Sequence, residues 1–174
     1  MAQQYTTHYR SPFGALTLAA TETAVTGLWF DKQKYFGSTL SAQAVENRIP
    51  VLRATCAWLD CYFRGDRPAL SVPLAPEGSA FRQAVWDILR QIPYGTLTTY
   101  GAIADQLSQR TGKPVSAQAV GGAVGHNPIS ILIPCHRVVG TNGSLTGYAA
   151  GIDIKRQLLQ LEGADRLFAP NKCR

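Results

Sequence analysis

The stretch ILIPCHRVVG, residues 131–140, places one cysteine between two apolar runs. Aliphatic residues and Pro134 precede Cys135, and two valines and Gly140 follow Arg137. Buried flanks on both sides would leave the thiol little freedom to move. Because His136 is adjacent and could serve as a base, Cys135 is a candidate nucleophile.

A cysteine needs help to act as a nucleophile, because its usual pKa near 8.5 leaves only a few per cent of it as thiolate at neutral pH. Neighbouring side chains on an extended segment point to opposite faces, so we expect a bridging water between Cys135 and His136. The imidazole also needs an acid to fix its tautomer. Glu162 is a candidate, since a carboxylate in the last turn of a predicted helix opposes the helix dipole and needs a reason to be there. A solvated surface glutamate is the alternative.

The composition of the 174 residues suits one mid-sized domain or two small ones, because 45% of the residues are hydrophobic. The net charge of +6 is uneven: residues 1–78 hold 7 Lys and Arg against 6 Asp and Glu, whereas residues 79–174 hold 10 against 5. A basic second half favours an anionic partner, nucleic acid first. A basic protein without such a partner is the alternative.

No apolar run is long enough to cross a membrane, and the first residues lack the apolar segment of a signal peptide. We therefore predict a cytoplasmic protein with no membrane segment and with reduced cysteines. Cys56 and Cys61 have no His or Cys nearby in sequence, so we expect no metal site and no cofactor. Cys173, in the tail, is expected to be incidental.

The first part of the chain predicts a small antiparallel sheet covered by a helix. Alternating apolar residues indicate strands at 4–10, 15–20 and 24–30, followed by an irregular connection. A helix after Pro50 has one apolar face, formed by Leu52, Cys56, Leu59 and Phe63. A run rich in Pro and Gly then ends at Gly78, so residues 1–78 are predicted to be an N-terminal α/β structural domain with its linker.

Residues 79–174 predict a mostly helical domain, which makes the whole chain an α+β protein. Four residues are expected to cap its helices: Ser79, Thr99, Ser116 and Asp153. The first helix should bury Phe81, Val85, Ile88 and Leu89, and the last one Ile154, Leu158 and Leu161. The two middle helices, joined by a turn that contains glycine, are typical of a helix-turn-helix of winged-helix-like type. Many helical hairpins share this pattern, so on its own it leaves DNA binding open.

The second of these two helices consists largely of alanine and glycine. Each glycine in it lowers helix stability by roughly 1 kcal/mol relative to alanine, which indicates that something approaches its backbone closely. Small residues suit a narrow minor groove better than the major groove, which is read by long side chains. Another helix packed at this face is the alternative. The small residues are Ala117, Ala119, Gly121, Gly122 and Ala123.

The motif IPCHRVVG, with AVGGAVGHNP before it and GYAAG and LLQLEG after it, resembles the O6-alkylguanine-DNA alkyltransferases. These are also called methylated-DNA–protein-cysteine methyltransferases. The resemblance covers residues 79–163, while the first 78 residues match only in general layout. It implies direct-reversal DNA repair: a helix-turn-helix binds the minor groove of double-stranded DNA that contains O6-alkylguanine. The damaged base is flipped out, and its alkyl group passes irreversibly, in a single turnover, to the cysteine.

The resemblance also implies catalytic roles for particular residues. Cys135 would accept the alkyl group, His136 would be the base acting through water, and Glu162 would orient the histidine. Asn127 would brace the turn before the active-site segment, and Tyr100 would donate a hydrogen bond to the guanine ring.

Further residues would hold the base and the DNA. The carbonyls of Cys135 and Val138 would read the exocyclic amine, the Ala149 amide would face O6, and Tyr148 would flank it. Ser130 stands where some members have a pocket-lining proline, and Arg137 would tie the active-site segment to the rest of the domain. DNA would be bound by Gln118, Ala119, Gly121, Gly122 and Ala123.

Gln118 replaces an arginine that is common in the family, so we expect weaker DNA binding than in a relative with the arginine. We expect a monomer in solution, with cooperative binding on DNA left open. Three rival functions are weaker. Alkyltransferase-like proteins that flag damage lack the cysteine that Cys135 supplies, a thiol hydrolase would not explain the glycine-rich helix, and a plain helix-turn-helix regulator would not explain PCHR.

Overall fold

The structure is a computed structural model that describes residues 2–164, so Cys173 lies outside the described part. It is an α+β fold, as predicted, and it divides into two compact units. One unit contains the chain up to Glu77 together with Pro128–Leu132, and the other contains Gly78–Asn127 and the chain from Ile133 on. A single boundary near residue 78 did not anticipate that Pro128–Leu132 would group with the first unit.

A four-stranded sheet forms the base of the first unit. Strands β1 (Tyr5–Ser11), β2 (Gly14–Ala20) and β3 (Val25–Phe30) are antiparallel and agree with the predicted strands to within a residue at each end. Strand β4 (Val45–Glu46) pairs in parallel with β1, giving the order β3-β2-β1-β4. This fourth strand was not predicted, because two residues are too few to show an alternating pattern.

Backbone hydrogen bonds attach a distant segment to the third strand. The Leu28 amide donates to the Pro128 carbonyl (2.8 Å), and the Ser130 amide donates to the Leu28 carbonyl (2.9 Å). These bonds give Pro128–Leu132 its place in the first unit. The two paired segments are about a hundred residues apart in sequence, so the pairing leaves no local sequence signal. The predicted boundary near residue 78 therefore could not show that Pro128–Leu132 belongs to the first unit.

Helix α1 (Pro50–Phe63) packs on the sheet of the same unit. Proline at its first position is favourable because the first amides of a helix have no partner within the helix. Its predicted apolar face is buried except for Phe63, which is half-buried, while Tyr62 is 1% exposed. The buried face is therefore turned slightly toward Tyr62.

In its described residues, the second unit contains four α-helices: α2 (Ala80–Leu89), α3 (Tyr100–Thr111), α4 (Ala117–Gly125) and α5 (Ile152–Leu161). Helices α3 and α4 pack against each other and against α2, in the predicted helix-turn-helix order. The predicted caps of α2, α3 and α4 are confirmed, because the hydroxyls of Ser79, Thr99 and Ser116 each accept a hydrogen bond from the amide three residues later.

Three expectations about these helices were wrong. Phe81 is 38% exposed, and the buried face of α2 includes Trp86 in its place. Helix α5 starts at Ile152 with Gly151 at the N-cap, so Asp153 lies in its exposed first turn and does not cap it. Its buried face is formed by Lys155, Leu158 and Leu159, where Ile154, Leu158 and Leu161 were expected.

A two-stranded parallel sheet joins distant parts of the second unit. Strand β5 (Thr98–Thr99) pairs with β6 (Val138–Val139), with Thr98 opposite Val138. A short 3-10 helix, Cys135–Arg137, leads directly into β6. This pairing fixes the start of α3, and with it Tyr100, beside the chain that follows Cys135.

Candidate active site

Cys135 opens the 3-10 helix and is only 5% exposed. Burial raises the pKa of its thiol above the usual value, because a buried thiolate loses hydration. Four groups lower this pKa in turn: the Asn127 side chain, the positive charge of Lys155, the backbone amide of Cys135 and the Tyr148 side chain. The thiol is thus held in a dry position where a small number of groups control its ionisation.

His136 and Glu162 form a fully buried pair, with 2.7 Å between His136 Nε2 and Glu162 Oε2. Burial alone would raise the pKa of Glu162, but His136 and Arg137 hold it well below its usual range. Burial lowers the pKa of His136, although Glu162 opposes this. An ionised carboxylate can only accept, so Nε2 carries the hydrogen and Nδ1 keeps its lone pair. His136 Nδ1 has no hydrogen-bond partner among residues 2–164.

Arg137 holds the same carboxylate from another side. Its Nε donates to Glu162 Oε1 (2.8 Å), its Nη2 to Oε2 (3.0 Å), and its Nη1 to the Ile92 carbonyl (2.6 Å). The Gly95 amide also donates to Oε1 (3.2 Å). A bidentate arginine and a backbone amide offset the desolvation of the buried carboxylate and fix its orientation. Glu162 is therefore held in place by donors other than His136.

Asn127 is 4% exposed and lies just beyond the end of α4. Its side-chain Nδ2 donates to the Ile133 carbonyl (2.8 Å), two residues before Cys135. This hydrogen bond joins the end of α4 to the segment before Cys135 within the second unit.

Tyr100 and the segment around Tyr148 lie close to the thiol. The Tyr100 hydroxyl donates to the Thr146 carbonyl (2.9 Å), and burial raises the pKa of that phenol. Gly147 has a φ of +70°, a backbone conformation that favours glycine. A Cβ at this position would also lie only 3.4 Å from the Tyr100 hydroxyl oxygen, so glycine allows the close contact between Tyr100 and this segment. Tyr148 is 9% exposed.

The other predicted base-binding residues differ in burial and do not all belong to the same unit. Val138 is fully buried, and its amide donates to the Cys135 carbonyl at the end of the 3-10 helix. Ala149 is half-buried next to Tyr148. Ser130 belongs to the segment that groups with the first unit, where its hydroxyl donates to Gln33 Oε1 (3.5 Å).

Lys155 was missed by sequence reasoning. Its side chain is fully buried, and its Nζ donates to the carbonyls of Val138 (2.5 Å) and Thr146 (2.9 Å). Burial lowers the pKa of Lys155 to about 8, against an opposing effect of Cys135. A signal was present in the sequence, because Lys155 lies three and four residues before Leu158 and Leu159 and so shares their helix face.

The small residues of α4 fall on two faces. Gln118, Ala119 and Gly122 are exposed, and a Cβ added at Gly122 would meet no described atom within 4 Å. No described helix therefore packs against Gly122, which counts against the alternative for this position. Gly121 is half-buried. Ala123 lies on the inner face, 3% exposed, and its carbonyl accepts a hydrogen bond from Trp86 Nε1 (2.9 Å).

The described residues contain neither a cluster of metal ligands nor a membrane-spanning helix. Between residues 2 and 164, no group of three or more His, Cys, Asp and Glu side chains is arranged to hold a metal ion. None of the helices in that range is long and apolar enough to span a bilayer.

Residues 80–164 match the family described as 6-O-methylguanine DNA methyltransferase, DNA binding domain, and residues 4–76 match its ribonuclease-like domain. The methylated-DNA–protein-cysteine methyltransferase of Haemophilus influenzae is 42% identical over 163 residues, covering 93% of this chain and 88% of the relative. The chain belongs to the methylated-DNA–protein-cysteine methyltransferase family. The methyltransferase of Methanosarcina acetivorans is 44% identical, with coverage of 90% and 96%.

Solved methyltransferase structures extend the likeness to three dimensions. The Mycobacterium tuberculosis O6-methylguanine methyltransferase is 41% identical with a TM-score of 0.78, covering 99% of this chain and 97% of the other. The structure of Mycobacterium tuberculosis OGT in complex with DNA is 40% identical with a TM-score of 0.80, covering 94% of each chain. The resemblance to the methyltransferase family is confirmed, and it extends to the first part of the chain.

Proposed function

We propose that this protein repairs DNA by direct reversal, transferring the O6-alkyl group of guanine in double-stranded DNA irreversibly to Cys135. The observation that carries this proposal is the buried series Cys135, His136 and Glu162, in which the histidine is bound to the carboxylate through Nε2 and keeps Nδ1 for a proton. Membership of the methyltransferase family supports the same reaction.

The first chemical step is removal of the thiol proton. His136 is neutral because burial lowers its pKa, so Nδ1 is able to accept a proton. No hydrogen bond between described atoms joins Cys135 to His136, and the proton passes through a water between them. The imidazolium that forms is stabilised by Glu162, whose position Arg137 fixes.

The second step is transfer of the alkyl group. A bond forms between the Cys135 sulfur and the alkyl carbon while the bond between that carbon and O6 breaks, and the electron pair remains on the guanine. The base then takes up one proton, which balances the proton lost by the thiol. Donors such as the Tyr100 hydroxyl and the Ala149 amide meet the charge that develops on the base. The product is a thioether, so each molecule reacts once.

Access to the base depends on α4. Its exposed small residues allow the helix backbone to approach a narrow minor groove closely, and a base in the duplex must leave the stack to reach a buried thiol. The relative from Mycobacterium tuberculosis has been solved in complex with DNA, which supports DNA as the partner. Gln118 is exposed on this helix, and we expect it to lie next to the orphaned base.

The protein is expected to act as a monomer in the cytoplasm. Sedimentation of the free protein and of its complex with duplexes of increasing length would test this expectation. A single species of monomer mass is expected without DNA. Binding that becomes tighter per protein on longer duplexes would indicate cooperative assembly.

The reaction is tested with a duplex oligonucleotide that carries O6-methylguanine. After incubation and digestion, mass spectrometry should find one methyl group on the peptide that contains Cys135. Cys135→Ser should show none, whereas Cys61→Ser, which changes a half-buried cysteine of the first unit, should react normally. Methylation of a different cysteine would reject the site, and more than one repaired base per protein molecule would reject the single turnover.

A further inference from the structure

Lys155 is a buried ammonium group that has no acidic partner among the described residues. Its residue is 0% exposed, and no carboxylate within residues 2–164 forms an ion pair with it. Glu162, the buried carboxylate of this unit, is engaged by His136 and Arg137. Burying a charge without a counter-charge is unfavourable, so the position of Lys155 requires an explanation beyond packing.

The two hydrogen bonds of Lys155 place its charge at the active-site segment. One goes to the Val138 carbonyl, and Val138 closes the 3-10 turn that begins at Cys135. The other goes to the Thr146 carbonyl, in the segment that leads to Tyr148. The ammonium also lies 5.9 Å from the centre of the Tyr100 ring. The charge therefore has a fixed position among residues that surround the thiol.

We propose that Lys155 is the charge partner of the Cys135 thiolate, so that ionisation of the thiol supplies the negative charge that the buried ammonium otherwise lacks. Lys155 acts through Cys135 and is therefore a positioning residue for the reaction. This inference rests on the proposed role of Cys135 as the alkyl acceptor, but it can be tested without DNA.

Lys155 and Cys135 each favour the charged form of the other. The charge of Lys155 lowers the pKa of Cys135 against the effect of burial, and the thiolate raises the pKa of Lys155 against its own burial. The other groups near the ammonium differ in kind. His136 lies on the 3-10 helix and is neutral, Tyr100 lies on α3, and Arg156 on the same helix is exposed and paired with Asp153. Among these groups, only the thiolate brings negative charge at neutral pH.

A consequence follows for the reacted protein. Once sulfur carries an alkyl group it is a neutral thioether, so Lys155 loses its charge partner permanently. The ammonium then remains buried with two carbonyls alone, and its pKa falls further. Alkylation of Cys135 should therefore shift the protonation equilibrium of Lys155. Lys155 itself exchanges no bond or proton in the proposed reaction.

The first experiment measures the ionisation of Cys135 directly. The rate of carbamidomethylation by iodoacetamide is followed from pH 5.5 to 9.5 on the peptide that contains Cys135. Lys155→Gln keeps N–H donors but removes the charge, and it should raise the apparent pKa of Cys135 by about one unit or more, which slows the reaction at pH 7 about tenfold. Lys155→Arg keeps the charge and should recover most of the rate.

The matched control is Arg156→Gln, which removes a positive charge from the next, exposed position and should leave the profile unchanged. A folded Lys155→Gln protein with the wild-type profile would overturn the proposal. A Lys155→Arg protein as slow as Lys155→Gln would also overturn it, because it would show that the shape of the lysine matters and its charge does not.

A second measurement keeps Lys155 in place, in case its variants do not fold. Because coupling between two titrating groups is reciprocal, the Lys155 pKa measured by NMR on labelled lysine side chains should be lower in Cys135→Ser than in the wild type. S-Methylated protein should show the same lowering. Equal values in all three proteins would contradict the proposal. Failure of methyl transfer from DNA, with these shifts present, would refute the proposed function alone.

Discussion

The burial of His136 makes the stability of the protein depend on pH. Its ring is fully buried, and burial lowers its pKa below the usual value of about 6.5. At a pH between the folded and the unfolded pKa of His136, the imidazole is protonated in the unfolded chain but not in the folded one. The contribution of His136 is therefore complete above about pH 6.5 and is lost as the pH falls. Glu162 has a lowered pKa as well, but its contribution is lost only below about pH 4.3.

We therefore expect the free energy of unfolding to decrease as the pH is lowered from 7.5 to 5.5. Each unit by which the folded pKa lies below the unfolded one contributes about 1.4 kcal/mol over the full titration. Urea denaturation at a series of pH values measures this slope. His136→Gln should flatten it, whereas His126→Gln, at the C-cap of α4, should keep it. An unchanged slope in His136→Gln would show that other groups are responsible.

At the residue scale, Gln118 is predicted to limit the affinity for DNA. It is exposed at the second position of α4, where glutamine provides neither a charge nor a flat guanidinium for stacking. Gln118→Arg should therefore bind a duplex more tightly, by about tenfold if the gain is near 1.4 kcal/mol. Fluorescence anisotropy at fixed salt measures the affinity. Gln109→Arg adds the same charge at an exposed position of α3 and should gain less; equal gains would mean that only net charge matters.

At the scale of elements, α4 combines low stability with an open surface. Since a Cβ at Gly122 would meet no described atom, Gly122→Ala should raise the free energy of unfolding by about 0.5–1 kcal/mol. The same methyl group should weaken DNA binding, because it adds bulk where the helix backbone is proposed to approach the groove. Urea denaturation and anisotropy measure the two effects.

Gly125 provides a matched control on the same helix. A Cβ there also meets nothing within 4 Å, but Gly125 lies outside the predicted DNA-binding residues. Gly125→Ala should stabilise the protein without loss of affinity. If Gly122→Ala also left the affinity unchanged, the small residues of α4 would not be the surface that approaches DNA.

The elements that were predicted from the sequence are those with local causes. Serine and threonine caps act within three residues, and the strands of the first unit alternate over six or seven, so both leave a readable pattern. The β5–β6 pair was missed because it consists of two residues on each side joined across the chain. Lys155 was missed because a lysine is normally exposed, although its spacing from Leu158 and Leu159 puts it on their buried face.

The predicted site residues divide in the same way. Cys135, His136 and Glu162 could be identified because a distinctive motif and a misplaced charge mark them, and the structure brings the last two to 2.7 Å. Ala123 was grouped with the exposed small residues because composition does not say which side of a helix is covered. The Ala123 carbonyl accepts a hydrogen bond from Trp86 Nε1, which places Ala123 on the buried face of α4.

At the scale of the whole molecule, the two units are interleaved along the chain. Residues 128–132 lie in the first unit although the second unit precedes and follows them in sequence. Ile129, Ile131 and Leu132 are at most 6% exposed. A fragment of residues 78–174 keeps these side chains and loses the strand that pairs with their backbone.

We expect this fragment to aggregate or to unfold at a lower temperature than the full chain, because apolar side chains become exposed. Size-exclusion chromatography and thermal circular dichroism test the expectation. Replacing Ile129 by serine in the fragment should reduce its aggregation. A monomeric fragment with the melting temperature of the full chain would show that the segment does not depend on the first unit.

The Thr146 carbonyl accepts hydrogen bonds from both the Tyr100 hydroxyl and the Lys155 ammonium. When Tyr100 turns to a guanine in the proposed reaction, it exchanges one acceptor for another, and the lysine keeps the carbonyl satisfied. The number of hydrogen bonds made by the hydroxyl is then the same before and after the base enters. Recognition of the base at this position therefore leaves the Thr146 carbonyl with a donor.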